Sequence, residues 1–299
     1  MFYHDSKLQY PVRVEKPNPV FAKALQQAIG GIEGEMRVCM QYLFQAWNSR
    51  GPVKYRDMLM NTGTEEIGHI EMLATAVALN LEGAALSMQE QAAEHPVMNA
   101  AMGGQSVKAE IGTQMMRHTL SSGQGAMAVD SNGVPFNGSW IVGTGNIAAD
   151  MYANVTAEAG GRVLATRLWE MTDDPGMKDM LAFLIARDTM HQNQWLAVLE
   201  ELGTDHLPVP NSFPRDLENQ DFSYKFIATG IQPMEQPDAR WAKGKSIDGK
   251  GEFEYVNQGK PHGEKPVLGA PAPAGHAQTE QMMAYDGQMG EQHPADGDD

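Results

Sequence analysis

The chain has 299 residues, 42% of them hydrophobic, enough to build a sizeable core as one large domain or two small ones. A formal charge of −16 and a pI near 4.9 repel phosphate backbones, which argues against nucleic acid as a partner and for a neutral or cationic substrate. One cysteine, Cys39, excludes intrachain disulfides and thiolate clusters, so any metal must be held by His, Asp and Glu.

No window approaches the ~18 uninterrupted apolar residues of a membrane span. The opening residues, "MFYHDSKLQYPVRVE", lack the charged start and apolar run of a signal peptide. A cytoplasmic protein with no membrane partner is therefore expected. The 21 methionines read as unbranched fillers of helix interfaces, since none sits in a close Met/His repeat of the kind that binds copper.

After an extended N-terminal segment, residues 1–17, the region 18–49 shows helical spacing, opened by Asn18-Pro19 and closed by Gly51-Pro52. Gly30, Gly31 and Gly34 weaken this helix and mark a break or bend. A second helix, 53–79, carries Tyr55, Met58, Leu59, Ile67, Ile70, Leu73 and Val77, and its short connection predicts an antiparallel neighbour. Residues 83–145 combine a short helix near 97–117 with a Gly/Ser-rich stretch and are long enough to cross a bundle. Helices at 146–171 and 176–202 follow, separated by "TDDPG".

The expected fold is all-α: a ferritin-like four-helix bundle over 18–207, two helix pairs joined by a long crossover. Ten of the 17 prolines lie beyond Leu207, so 208–299 reads as an extended, mostly irregular arm that wraps a neighbouring subunit. Its last ~25 residues have the composition of a flexible end.

The helices carry charged groups where a core would be apolar. Glu66 and His69 are three apart and share a face, and Ile67, Ile70 and Leu73 belong to or flank that side. One Glu-x-x-His pair is weak by itself, and an ordinary hydrogen-bonded contact would explain it. Glu35, however, lies in the apolar run "GEMRVCMQYLF", with Tyr42 two turns further on the same side. Glu158 stands alone among Ala153, Val155, Ala157 and Ala159, and His191 follows "MLAFLIARDTM". Each helix thus offers an inward candidate: Glu35, Glu66 with His69, Glu158, and His191.

Buried carboxylates facing one another repel unless paired or bound to metal. Two divalent ions remove that repulsion, and dimetal carboxylate bundles use Glu from two helices and Glu-x-x-His from the other two. A metal-free Glu–His hydrogen-bond network is the bland alternative. Here the second Glu-x-x-His is Asp188-x-x-His191; Asp is one methylene, about 1.5 Å, shorter and is expected to fall short of the metals. Glu66 is best placed to bridge. Hard O/N donors with open positions favour manganese or iron, and ligand identity does not separate the two.

Together, "GEMRVCMQYLFQ", "TEEIGHIEML", "TAEAG" followed by "WEMTDDPG", and "ARDTMHQNQW" make residues 1–210 resemble the manganese catalases, the non-haem dimanganese family. The resemblance implies two manganese ions on Glu35, Glu66, His69, Glu158 and His191, with Glu66 bridging and Tyr42 hydrogen-bonding beside them. It implies disproportionation of hydrogen peroxide to water and oxygen as the pair cycles between Mn(II)2 and Mn(III)2. Tyr42, Glu158 and Asp188 are the catalytic candidates, the last two for proton transfer. Some relatives carry an Arg before the third-helix Glu as a channel guard, where this chain has Ala157. Relatives form homohexamers with C-terminal arms, and some bind calcium; Asp57 is a weak candidate for that ion, without a specific motif.

Two rivals remain open at this level. A diiron ferroxidase or peroxidase of the same fold normally carries a second full Glu-x-x-His, which Asp188 does not supply. A spore-coat-like structural bundle would need none of the five ligands this chain retains. Cys39, one turn after Glu35, is expected to be a buried, inert thiol, oxidisable only if peroxide reaches it.

Overall fold

The computed structural model describes residues 6–82, 125–202, 218–228 and 235–258. The expected helix near 97–117, the first part of the crossover and most of the arm lie outside the described residues.

The predicted first helix is two helices, α1 (Pro19–Gly30) and α2 (Glu35–Asn48). Asn18 caps α1 by accepting from the Val20 and Phe21 N–H groups at 3.1 Å, with Pro19 in the first turn. The break falls at the glycines, and it resets the helix so that Glu35 opens α2. Helix α3 spans Val53–Leu81, α4 Ile147–Glu170 and α5 Pro175–Glu201, within two residues of the sequence-based bounds. Asn146 caps α4, and Asp174 caps α5 through Gly176 and Met177.

Helices α2 and α3 pack extensively on each other, as do α4 and α5, while α1 lies on α3. Gly63 lets α2 approach α3 closely, since a Cβ there would stand 2.9 Å from Leu43. The described end of the crossover, 125–146, is tied to α1 by the buried Gln26, whose amide donates to the Met127 and Val129 carbonyls at 2.7 Å. It is tied to α2 by Gln41 and Gln45, which share Asn154 of α4 and also bond Val142.

Two apolar clusters result. One joins Phe21, Leu25 and Ile29 to Met72, Leu73, Ala76, Met177, Met180, Leu181 and Leu184; the other joins Tyr42, Ala46, Leu59, Met151, Ala157, Trp195 and Val198. Four of these buried side chains are methionines, in keeping with their reading as interface fillers. In each long helix the candidate ligands fall between a residue of one cluster and a residue of the other: Glu66 and His69 between Leu59 and Met72, His191 between Leu184 and Trp195. A polar layer thus separates two dry ones. Ile67 departs from the expectation. It is 46% exposed, because it sits one residue, about 100° of turn, past the inward-facing Glu66.

The N-terminal segment has a structural role that its sequence did not disclose. Glu15 and Lys16 donate their backbone N–H groups to Asp174 Oδ2 at 2.8 and 3.2 Å, and a Cβ on Gly176 would lie 2.2 Å from the Arg13 carbonyl oxygen. Tyr10 stacks on Phe183 with centroids 4.4 Å apart.

Among the described residues, those up to Ser223 form one compact unit with Lys245–Gly251, and the remainder of 224–258 forms a second. In the second, strand Lys225–Ala228 pairs in parallel with Glu252–Asn257, Phe226 opposite Tyr255. Aromatic and β-branched residues on both strands, Phe226 and Ile227 on one and Phe253, Tyr255 and Val256 on the other, favour this pairing, a short regular element within an arm read as mostly irregular.

Candidate metal centre

Helix α2 contributes Glu35, α3 Glu66 and His69, α4 Glu158, and α5 Asp188 and His191. All but Glu35 are buried, and the Glu35 side chain is only 13% exposed. The ligand atoms form two groups that share one residue: Glu35, Glu66 and His69, and Glu66, Glu158 and His191. His69 Nδ1 lies 2.6 Å from Glu66 Oε2 and 3.7 Å from Glu35 Oε2. His191 Nδ1 lies 2.9 Å from Glu66 Oε1 and 3.6 Å from Glu158 Oε1. Most of these spacings match donors sharing one ion, since bonds of about 2.1 Å put two ligands about 3–4 Å apart.

The fit goes beyond spacing. Both Glu66 oxygens, both His69 nitrogens and His191 Nδ1 are buried with no hydrogen-bond partner in the protein. The close N···O approaches therefore lack hydrogen-bond alignment and count as proximity only. Orphaned buried polar atoms are costly unless something else occupies their lone pairs, and here four of them, both Glu66 oxygens and the Nδ1 atoms of His69 and His191, converge within the two groups. Hard divalent ions suit these oxygen and imidazole donors.

Protons hold the site in the protein alone. Burial, then the Glu66 charge, pushes Glu35 up to about 7 against the pull of His69. Burial, then Glu35, Glu158 and Glu66, pushes Asp188 up to about 9. Glu158 is raised as well, by burial above all. Burial disfavours charge on His191, but the carboxylates of Glu158, Glu65 and Glu66 around its ring prevail and raise it to about 12; His69 moves the same way. Burial would also raise Glu66, but the two imidazoles outweigh it and hold it near 2. Divalent ions would take the place of these protons.

Around the ligands, the Tyr42 hydroxyl donates to Glu158 Oε1, and Trp195 Nε1 donates to the same oxygen at 3.4 Å. The Cys39 thiol is fully buried against the Gly63 carbonyl oxygen, and burial, with Glu66 and Glu35, pushes it up to about 12. Ala157 is buried and apolar. Asp57 is exposed and belongs to neither ligand group among the described residues.

The sequence reading passed over Glu65. Its oxygens face both histidines, at 3.6 Å from His69 Nε2 and 3.1 Å from His191 Nε2. Arg187 grips it with two bonds, 2.7 and 3.2 Å, and Gln9 of the N-terminal segment adds a third at 2.8 Å. A signal was present: Glu65 precedes His69 by four residues and Arg187 precedes His191 by four, each pair one turn apart on one helix face.

The family model for "Manganese containing catalase" matches residues 1–289. The chain belongs to the manganese-containing catalase family. A manganese catalase of Bacillus subtilis is 50% identical over 276 residues, 91% of this chain and 96% of that protein. The manganese catalase of Lactiplantibacillus plantarum is 36% identical over 224 residues, 75% of this chain and 80% of that one. The crystal structure of KatB, a manganese catalase from Anabaena PCC7120, superposes with a TM-score of 0.63 at 21% identity, covering 86% of this chain and 99% of that one, and so bears on the fold. Within this family, the two groups of converging carboxylates and imidazoles are the natural place for the metal, and no described helix is long and apolar enough to cross a membrane.

Proposed function

We propose that this protein disproportionates hydrogen peroxide to water and oxygen at two manganese ions held by Glu35, Glu66, His69, Glu158 and His191. The observation that carries the reading is the set of four buried, unpartnered donor atoms, both Glu66 oxygens and the Nδ1 atoms of His69 and His191, arranged as two groups around a shared carboxylate. When bound, the metal pair supplies the two-electron redox chemistry, alternating between Mn(II)2 and Mn(III)2, so that no free radical need be released.

The side chains do the rest. Glu66 spans both positions, one oxygen toward each histidine, while Glu35 and Glu158 complete the outer corners. Tyr42 holds Glu158 in place through its hydroxyl. Asp188, buried beside Glu35, Glu158 and Glu66, is the candidate to hand a proton to departing water and take one back. Glu35, the most exposed ligand, marks the side from which a small neutral substrate arrives.

The same reading assigns a ferritin-like four-helix bundle to 18–207 and a subunit-spanning arm to 208–299 in a cytoplasmic homohexamer. The exposed Phe44, Trp47 and Ile67 on the helices support subunit contacts. Calcium at Asp57 finds no support among the described residues.

Oxygen release per peroxide consumed tests the activity, measured with an electrode on protein made in manganese-supplemented cells. One oxygen per two peroxides is expected. Peroxide loss without oxygen would point to a diiron oxidase or peroxidase, and no consumption to a structural bundle.

A further inference from the structure

Glu65 is an odd residue to find at this depth if the five ligands were the whole design. The His69 and His191 rings lie 5.8 Å apart at 24°, and each has a carboxylate at both ends. At the Nδ1 ends stands Glu66, at 2.6 and 2.9 Å. At the Nε2 ends stands Glu65, its Oε2 hydrogen-bonded to His191 at 3.1 Å and its Oε1 facing His69 at 3.6 Å, just beyond hydrogen-bond distance, so that His69 Nε2 has no other partner to turn to. Consecutive residues of α3 thus bracket the imidazole pair.

We propose, building on the dimetal reading above, that Glu65 is a positioning residue shared by both halves of the centre, each of its oxygens orienting one histidine so that both imidazoles present Nδ1 to metal. An imidazole that donates its Nε2–H outward keeps the Nδ1 lone pair free for an ion, and the outer carboxylate fixes ring orientation and strengthens the donor. In most such arrangements each histidine has its own partner. Here one carboxylate serves two, so the two metal positions share one support. The two-pronged bond from Arg187 fixes the plane of the carboxylate, as a single lysine charge would not. Gln9 closes the outer side, which brings the N-terminal segment into the metal centre's framework.

The competing explanation is a tie between α3 and α5, with Glu65 and Arg187 acting only as a partly exposed ion pair. Glu65→Gln separates the two. It keeps the shape but leaves one carbonyl oxygen and one amide NH2, so only one histidine retains an acceptor. Manganese(II) binding is measured by chelator competition, alongside the melting temperature of the metal-free protein. The wild type should bind two ions per chain. The variant should keep one near its original affinity and bind the other about 10–100-fold more weakly, with little change in melting temperature.

Two unchanged affinities would overturn the proposal, as would a loss matched by equal destabilisation of the metal-free protein. A wild type that binds no manganese would instead refute the dimetal reading itself. Should Glu65→Gln not fold, Arg187→Met frees Glu65 on its outer side and should weaken both ions together by about tenfold, the low end for such partners; unchanged affinities there would overturn the proposal equally.

Discussion

Replacing Asp188 by Asn should make the metal-free protein more stable and the loaded enzyme slower. Asp188 is 4% exposed, and burial with three neighbouring carboxylates lifts it from 3.8 to about 9. The folded protein therefore keeps a proton that the unfolded chain has already lost above pH ~4, so stability falls as pH rises from about 4 to about 9. The loss is ~1.4 kcal/mol per pH unit, or about 4 kcal/mol accumulated by pH 7. Glu35, itself raised to about 7, shares part of that proton affinity, so we take a gain of about 2–4 kcal/mol for a neutral Asn of the same shape. Thermal and urea unfolding of chelator-treated wild type and variant at pH 6, 7 and 8.5 provide the assay. The variant should lead at every pH, by a margin that widens by ~1 kcal/mol per unit toward alkaline pH. An Asp188→Asn protein that is no more stable, or whose margin is flat with pH, would refute the idea that burial keeps this carboxyl protonated. After loading, the same variant should retain its metal and lose turnover; loss of metal would make Asp188 a ligand.

Metal uptake should rise steeply with pH. The free protein carries protons on both imidazoles, His191 being raised to about 12, and these must leave when Nδ1 binds an ion. Since the free state holds more protons than the loaded one, apparent manganese affinity should climb at least ~10-fold per unit from pH 6 to 8 in chelator competition; a flat profile would contradict the proton inventory. Glu66→Ala should lose both ions and all activity, judged by elemental analysis and oxygen release, and two retained ions with full turnover would end its bridging assignment. Cys39, fully buried with its thiol pushed up to about 12, should gain no oxygen during peroxide turnover, as intact-mass analysis would register.

Much of the candidate centre was legible because each proposed ligand breaks a local rule. Glu35, Glu66, Glu158 and His191 interrupt apolar faces, and a carboxylate in such a place needs a partner. Their convergence also followed from the fold, since two antiparallel helix pairs packed as one bundle bring the polar turns of α2, α3, α4 and α5 to one level. Glu65 was missed because it obeys the ordinary rule: a Glu next to the buried stripe reads as a solvated face, and only its cross-helix contact with Arg187 turns it inward. Ile67 was misjudged for the converse reason, an apolar residue one step off the stripe. The N-terminal segment has no periodicity, so its grip on Asp174 and Glu65 depends on contacts more than 50 positions away in sequence. The short parallel strand pair was hidden by the prolines around it.

The most direct test of the account is anomalous diffraction at the manganese edge from crystals of manganese-loaded protein. Two peaks are predicted in each chain, one among Glu35, Glu66 and His69 and one among Glu66, Glu158 and His191, both on the Nδ1 side of the histidines. A single peak, or a pair that leaves Glu66 outside the coordination sphere, would contradict it.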